Sequence, residues 1–142
     1  IDLINDTNVT VVDPENIYDD TYDIISPCAL GGTINRNSLK NINCNIIAGA
    51  ANNQLENDTD VPEELLKKNI LYIPDFLINA GGIISVYHEQ INDIDSKKVM
   101  DMTGLIYDKV SSVIKYSEEN SISTNSSAIQ LAKDRIKENS KK

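Results

Sequence analysis

Short apolar runs alternate with amphipathic segments along the first half of the chain. Four runs have the length of a strand, and none alternates strictly between apolar and polar positions, so we expect each to be covered on both faces. These runs are VTVV (9–12), DIISPCA (23–29), CNIIAGA (44–50) and ILYIP (70–74). Strands of this kind, separated by helical segments, are typical of βα units around a parallel sheet.

The clearest helix signal lies between the third and fourth runs. Asp60 can cap a helix, Pro62 suits its first turn and Asn69 can close it, while Leu65 and Leu66 supply an apolar face. These features predict a helix over about residues 60–68.

Weaker or longer helical patterns occupy the rest of the chain. Residues 35–42 predict a short helix, and Asp95 or Ser96 can begin a long one that Gly104 would weaken by ~1 kcal/mol. A last helix should begin near Thr124 or Asn125. The predicted inward positions of these three helices are Ile34, Leu39, Ile42, Val99, Met102, Ile106, Val110, Val113, Ala128, Leu131, Ala132 and Ile136.

Composition and charge narrow the partners. A chain of 142 residues with 40% hydrophobic residues has the size and composition of one globular domain. A net charge of −9 opposes binding to nucleic acid, whose affinity comes mainly from Lys and Arg. No apolar run approaches the ~18 residues of a membrane span, and no secretion signal opens the chain. We therefore expect a soluble cytoplasmic protein, or one whose true start is missing here, without nucleic-acid or membrane partners.

The residues that often bind metals or act as nucleophiles are few. Cys28 and Cys44 lie in apolar runs without CxxC spacing or nearby His, so we expect two buried, reduced thiols and no metal site. His88 has no second His or acid at triad spacing, which predicts a surface or helix-packing role. The carboxylates are scattered and are expected to be mostly solvated.

Small and amide residues follow three of the predicted strands. Ligands of parallel sheets bind beyond the carboxyl ends of the strands, which directs attention to SPCALGG (26–32), AGAANNQL (48–55) and PDFLINAGG (74–82). Cys28 and Ala29 are small enough for a flat ring to approach, and Asn52 or Asn53 could hydrogen-bond a ligand. Each of these two segments can equally be a strand end followed by a turn.

The third segment combines an amide with two glycines. Asn79 follows an apolar stretch, where an unsatisfied amide is costly, so it should pair with backbone or face a ligand. Gly81 and Gly82 would form a flexible joint between the sheet and the helices that follow. No GxGxxG phosphate-binding turn occurs, so the chain has the pattern of the second half of a nucleotide-binding sheet without the first half.

Three linked segments carry a resemblance to a known family. VVDPENIYDDTYDIISPCALGGTIN, NIIAGAANNQL and LYIPDFLINAGGIISV closely resemble, in this order and spacing, the Glu/Leu/Phe/Val amino-acid dehydrogenase superfamily. The likeness runs from about Thr10 to the C-terminal helices. PCALGG and NNQL favour the branch that acts on branched-chain and aromatic amino acids, with leucine dehydrogenase the nearest in appearance.

The resemblance implies a fold and an activity. Residues 1–90 would be the second half of a Rossmann-like, doubly wound parallel sheet in an α/β domain, and residues 91–142 would be C-terminal helices that pack back towards a catalytic domain. The family oxidatively deaminates L-amino acids to 2-oxo acids and ammonia with NAD as cofactor. The implied partners are the amino acid or oxo acid, the N-terminal part of the same enzyme, and further copies in a homo-oligomer.

The resemblance also assigns roles by position. The implied cofactor-binding residues are Cys28, Ala29 and Leu30 along the nicotinamide ribose, with Ala51, Asn52, Asn53 and Asn79 near the nicotinamide. The implied substrate-binding residues are Asn53, Ile83 and Val86. The branched bulk of Ile83 and Val86 suits Leu, Ile or Val better than Phe, although a methyl-sized difference discriminates by only about 1 to 3 kcal/mol.

The catalytic group of the family has no counterpart here. Its general acid/base Lys belongs to a glycine-rich segment of an N-terminal domain, whereas Lys40, Lys67 and Lys68 stand on predicted helices. The chain alone is therefore expected to be inactive and to expose the edge of the strand at residues 23–29. The alternative is a non-catalytic, degenerate module that acts through oligomerisation.

Overall fold

The computed structural model describes residues 9–93 and 95–140. Three strands form one parallel sheet in the order β1-β2-β3, with Ile24 opposite Ile46 and Ile47 opposite Tyr72. The parallel α/β architecture predicted from the sequence is thus confirmed. The strands are β1 (Thr21–Ile25), β2 (Asn43–Ile47) and β3 (Leu71–Tyr72). The helices are α1 (Asp60–Lys67), α2 (Asp75–Ile78), α3 (Gly81–Gln90), α4 (Ser96–Gly104), α5 (Ile106–Asn120) and α6 (Thr124–Asn139), with 3-10 helices at Pro14–Asn16 and Ser38–Lys40.

One predicted strand is absent from the sheet. Residues 9–12 form no strand, and the side chains of Val9, Val11 and Val12 are exposed. A β-branched run becomes a strand only where a neighbouring strand supplies hydrogen bonds and packing, and no described strand pairs with this one. The strand predicted at residues 23–29 also stops at Ile25, two residues before Pro27, which cannot donate a ladder hydrogen bond.

The first helix forms where it was predicted, with a different cap. Asp60 is its first residue, and the side chain of Asn57 accepts hydrogen bonds from the backbone nitrogens of Thr59 (3.1 Å) and Asp60 (2.7 Å). Asn69 adopts a left-handed conformation (φ 56°) just after the helix, as expected of a terminating Asn.

Two of the other helix predictions needed correction. Residues 35–42 contain only the 3-10 turn Ser38–Lys40, although Ile34, Leu39 and Ile42 are buried as predicted. The long helix predicted from residue 95 is divided into α4 and α5 at Gly104, the residue with the lowest helix propensity in that segment. The Asp95 cap and the start of α6 at Thr124 are confirmed.

The glycine pair does not form a joint outside the helices. β3 ends at Tyr72, residues 75–78 form the one-turn helix α2, and Gly81 and Gly82 are the first two residues of α3. The flexible joint predicted between the sheet and the helices is therefore not observed. Helix α2 begins at Asp75, three residues after the end of β3, with Pro74 as its N-cap residue.

The core lies between the sheet and α1. Its buried members are Ile34, Leu39, Ile42, Cys44, Ile47, Val61, Leu65, Ile70 and Tyr72. On the β3 side α6 adds cover, since the Thr124 hydroxyl donates a hydrogen bond to the carbonyl oxygen of Tyr72. On the β1 side Ile24 is 56% exposed. Several predicted inward positions in the C-terminal helices are also open to solvent, among them Met102 and Ile136.

Candidate functional site

The carboxyl ends of β1 and β2 are joined by backbone hydrogen bonds. The nitrogen of Ala51 donates to the carbonyl oxygen of Pro27 (2.9 Å), and the nitrogen of Gly32 donates to that of Asn53 (2.7 Å). A side chain at Gly49 would bring its Cβ within 2.1 Å of the Pro27 oxygen, so only glycine permits this approach. We refer to residues 27–32, 48–54 and 79 together as the rim.

Asn79 closes the rim from the β3 side. It caps the C-terminus of α2, and its side-chain nitrogen donates to the Asn52 side-chain oxygen (2.6 Å) and to the carbonyl oxygen of Ala50 (3.2 Å). Of the two expectations for this amide, backbone pairing or a ligand, the structure shows the first, together with a bond to a second amide. The pair still leaves the side-chain nitrogen of Asn52 without a partner among residues 9–93 and 95–140.

Asn53 has a different arrangement. Its backbone is in the left-handed region (φ 53°), which Asn tolerates better than most residues. Its side chain is exposed and makes no hydrogen bond to any other residue in the described part of the chain. The amide is therefore available to a ligand.

The β1 end of the rim is open. Cys28, Ala29 and Leu30 are all exposed, and they line part of a groove of about 590 Å³ that continues along β1 past Ile24 and Ile25. The groove is mainly apolar, with small side chains at its rim end. It offers room for a flat group above Cys28 and Ala29.

The two cysteines do not share one environment. Cys28 is exposed, which corrects the expectation of a buried thiol, because the chain leaves the sheet at Pro27 before reaching it. A hydrogen bond from the Ala50 backbone and then one with Ser26 (Oγ to Sγ, 3.3 Å) lower the pKa of the Cys28 thiol. Cys44 is buried as predicted, and burial raises the pKa of its thiol.

Two polar residues at the rim are buried: Gln54, which belongs to it, and Asp75, which lies four residues before Asn79. The side-chain nitrogen of Gln54, which is fully buried, donates to the carbonyl oxygens of Gly49 (2.6 Å) and Ala51 (2.9 Å). The carboxylate of Asp75, 8% exposed, accepts hydrogen bonds from the backbone nitrogens of Gln54 (3.2 Å) and Phe76 (2.8 Å). Burial, and then the neighbouring carboxylate of Asp75, raise the pKa of Tyr72, so this phenol stays neutral.

Neither Gln54 nor Asp75 was a candidate on sequence grounds. The expectation that carboxylates are mostly solvated is wrong for Asp75, whose charge is compensated by backbone donors. One sequence signal was present: Asp75 comes directly after the buried apolar run ILYIP, with no polar residue between them to bring the chain back to the surface. Gln54 carried a weaker signal as a third amide after two exposed ones.

The predicted substrate residues lie on α3. Ile83 and Val86 are three positions apart on this helix and are 71% and 49% exposed. The helix begins two residues after Asn79, so both side chains follow closely on the rim in the chain. Among the described residues, no hydrogen bond connects either of them to Asn53.

The His and Lys residues considered as possible catalytic groups lie away from the rim. His88 is buried with its ring nitrogens 3.0 Å from the Met102 sulfur and 3.2 Å from the Asp93 carbonyl oxygen, which confirms a helix-packing role between α3 and α4. Lys40, Lys67 and Lys68 lie at the opposite end of the sheet, in the connections that lead into β2 and β3.

The described residues hold neither a cluster of metal ligands nor a membrane-spanning helix. Residues 9–93 and 95–140 contain no group of three or more His, Cys, Asp or Glu that could hold a metal ion. Within the same part of the chain, no helix combines the length and the apolar character needed to cross a membrane.

Comparison with known proteins gives a consistent result. A family described as "Glutamate/Leucine/Phenylalanine/Valine dehydrogenase" matches residues 2–142. The chain is 47% identical over 127 residues to an L-tryptophan dehydrogenase of Nostoc punctiforme, covering 89% of this chain and 36% of the relative. It is 37% identical over 133 residues to a leucine dehydrogenase of Bacillus subtilis (strain 168), covering 94% of this chain and 36% of the relative.

Solved structures agree with the sequence matches. The crystal structure of L-tryptophan dehydrogenase from Nostoc punctiforme superposes with a TM-score of 0.93 at 42% identity, over 99% of this chain and 42% of that one. A hetero-hexameric glutamate dehydrogenase from Thermus thermophilus, at 20% identity and a TM-score of 0.72 over 96% of this chain and 34% of that one, shares the fold. The chain thus spans little more than a third of the length of the curated relatives it matches.

Proposed function

The chain belongs to the Glutamate/Leucine/Phenylalanine/Valine dehydrogenase family, and we propose that it is part of an NAD-dependent L-amino-acid dehydrogenase of leucine type. Residues 1–90 would be the second half of its dinucleotide-binding domain, and residues 91–142 the C-terminal helices that pack towards a catalytic domain. The reaction would be the reversible oxidative deamination of an L-amino acid to a 2-oxo acid and ammonia.

One observation supports the proposal most directly: the rim brings the segments SPCALGG, AGAANNQL and PDFLINAGG together at one end of a parallel sheet. This end is where ligands of open α/β sheets bind. An exposed amide, small side chains and an apolar groove occur there side by side.

The rim residues are suited to the nicotinamide end of NAD. Cys28, Ala29 and Leu30 would lie along the nicotinamide ribose, with Asn52, Asn53 and Asn79 around the ring. Ala51, which is 6% exposed, would contribute to the turn that carries the two amides. NAD, when bound, accepts the hydride from the substrate. The part of the chain described here has no glycine-rich turn for the pyrophosphate, so the phosphates would be bound by another part of the enzyme.

Asn53 and α3 would serve the substrate. The free amide of Asn53 would hydrogen-bond a polar group of the substrate at the reacting end, and Ile83 and Val86 would contact its side chain. Their exposed, branched surfaces favour an apolar amino acid, with Leu, Ile and Val preferred over Phe. Because a hydrophobic pocket discriminates by only about 1 to 3 kcal/mol per methylene, this order of preference is the finest part of the proposal.

The proton chemistry would be supplied outside the rim. A general base must reach the substrate amine within hydrogen-bonding distance, and Lys40, Lys67 and Lys68 lie at the far end of the sheet. The residues of this chain would orient the cofactor and substrate, while the N-terminal part of the enzyme would supply the base. The exposed edge of β1 is a suitable contact for that part, and further copies of the enzyme would complete a homo-oligomer.

The test uses the full-length protein that contains this chain. Oxidation of Leu, Val, Ile, Phe, Trp and Glu would be followed by absorbance of the reduced nicotinamide, with NAD and NADP compared. We expect activity with NAD and the highest kcat/KM for a branched-chain substrate. A clear preference for Trp or Glu would contradict the pocket assignment, and no activity with any amino acid would contradict the function.

A matched pair of asparagines tests the site. Asn53 and Asn92 are both exposed, and both have φ 53°. We expect Asn53→Ala to lower kcat/KM at least tenfold, roughly 1.4 kcal/mol of transition-state stabilisation, while Asn92→Ala leaves it within about twofold. Equal effects of the two substitutions would show that the backbone strain, and not the Asn53 amide, matters.

A further inference from the structure

The loop of residues 49–54 carries the exposed amides of the rim but rests on buried polar groups. Gln54 is fully buried and Asp75 is 8% exposed. Buried polar groups are retained where they are hydrogen-bonded, and each of these binds the backbone of that loop. Their contacts therefore concern the shape of the loop.

Side chains at the two ends of α2 hydrogen-bond the loop at two points. Asp75 and Asn79 are four residues apart, at the two ends of this single turn, and so lie on one face of it. The Asp75 carboxylate accepts from the nitrogen of Gln54 (3.2 Å), and the Asn79 side chain donates to the oxygens of Ala50 and Asn52. The two contacts hold both ends of residues 50–54 against the same helix.

Gln54 holds the loop from the inside. Its side-chain nitrogen donates one hydrogen bond to the carbonyl oxygen of Gly49 and one to that of Ala51, so these two carbonyls point towards the buried amide. The carbonyl between them, that of Ala50, points to Asn79 on the other side. Three consecutive carbonyl oxygens of the loop, those of Gly49, Ala50 and Ala51, thus each accept a side-chain hydrogen bond immediately before Asn52 and Asn53.

We propose that Gln54 and Asp75 are positioning residues that fix the backbone of residues 49–54 and thereby present Asn52 and Asn53 at the rim. Both act through the backbone of the loop. What the rim binds rests on the function proposed above, whereas the rigidity of the loop does not. The chemistry of both groups is specific: the carboxylate has two acceptors facing two backbone N–H groups, and the amide has two donors facing two carbonyls.

Two substitutions in the full-length protein remove these groups while keeping their shape. Gln54→Met takes away both donors, and Asp75→Asn places an NH2 group against a backbone N–H. The matched control is Gln130→Met on α6, because the Gln130 amide nitrogen also makes two hydrogen bonds, both to Asp134 at 3.0 Å, away from the rim. The first measurement is amide hydrogen exchange by mass spectrometry over residues 49–54.

We expect exchange in this loop to become at least tenfold faster in Gln54→Met and Asp75→Asn and to stay unchanged in Gln130→Met. Unchanged exchange in either rim variant would overturn the proposal. If Gln54→Met does not yield folded protein, Asp75→Asn, which changes one atom, decides the result alone. Faster exchange in every peptide, with a matching drop in the melting temperature, would show a structural role only and would also overturn it.

The second measurement separates positioning from stability. Below their melting temperatures, the rim variants should lose at least tenfold in kcat, while the KM for the dinucleotide changes less than threefold, because its phosphates are bound elsewhere. A loss of kcat in Gln130→Met as large as in the rim variants would contradict this. If the unsubstituted protein oxidises no amino acid, the proposed function fails, and the exchange measurement still decides whether Gln54 and Asp75 fix the loop.

Discussion

The two edges of the sheet differ sharply in how completely they are covered. At the β3 edge, Tyr72 and Ile73 are buried, α1 covers one face, and Thr124 of α6 bonds to the strand. At the β1 edge, Ile24 is 56% exposed and an apolar groove runs along the strand to Leu30, which is 74% exposed. Both edges are built from aliphatic sequence, so composition does not explain the contrast.

The difference indicates which edge of the sheet is covered by the described residues and which is open. An exposed apolar edge strand is prone to self-association unless another strand or element covers it. The β3 side has its cover within the described residues, whereas the β1 side exposes an apolar strand surface that, in the enzyme proposed above, another strand would cover. The predictions below test this contrast and the point at which the two sides meet.

The largest effect is expected where the end of β1 meets the end of β2. A Cβ at Gly49 would lie 2.1 Å from the oxygen and 2.5 Å from the nitrogen of Pro27, both backbone atoms that cannot move without disturbing β1. We expect Gly49→Ala to lower the free energy of unfolding by about 3 kcal/mol or more, as measured by urea denaturation.

The control for Gly49 is Gly82, which is helical and has no atom within 4 Å of an added Cβ. Gly82→Ala should leave stability unchanged or raise it by up to about 1 kcal/mol. If Gly49→Ala were equally harmless, the two strand ends would not be locked together, and the rim would not be a single unit.

A pair of truncations compares the two edges directly. Leu65 of α1 is 1% exposed and packs in the core between this helix and the sheet. We expect Leu65→Ala to lower the free energy of unfolding by about 3 kcal/mol. Ile24→Ala on the open edge should cost less than about 1 kcal/mol in the 142-residue chain, because its side chain is already half in solvent.

The same pair in the full-length protein sharpens the comparison. If another part of the enzyme covers the β1 edge, Ile24→Ala should there cost about as much as Leu65→Ala, roughly 2 to 5 kcal/mol. An Ile24 effect that stays below about 1 kcal/mol in the longer protein would mean that the edge remains open there.

The smallest effect concerns the two thiols, one exposed beyond the end of β1 and one buried in the central strand β2. Cys28 is exposed with a lowered pKa, and Cys44 is buried with a raised pKa. Below pH 9 the lowered pKa gives Cys28 the larger thiolate fraction, so iodoacetamide should modify it several times faster, by mass spectrometry of the two peptides. The chemical part of this advantage should shrink as the pH rises and both thiols ionise. Faster labelling of Cys44 would show that the core around β2 opens readily.

Much of the fold could be predicted from local pattern. The strand cores, the α1 boundaries, the Asp95 cap and the burial of Ile34, Leu39 and Ile42 all follow from residue types at fixed spacings. The predictions that failed depended on partners distant in sequence. Residues 9–12 have strand propensity but no described strand beside them. Cys28 belongs to an apolar run whose strand ends at Ile25, so Cys28 lies beyond the sheet and is exposed.

The candidate site divides in the same way. The sequence alone indicated the residue types of the rim and their order after the strands. Glycine, small and amide residues beyond the carboxyl ends of parallel strands are typical of a ligand site. The sequence by itself thus determined a parallel α/β domain and the segments that would form a site. Only the tertiary structure decided that Asn79 binds Asn52, that Asp75 and Gln54 are buried under the rim, and that the β1 edge is open. Those facts depend on which backbone groups lack partners once the strands are packed, and no local pattern encodes that.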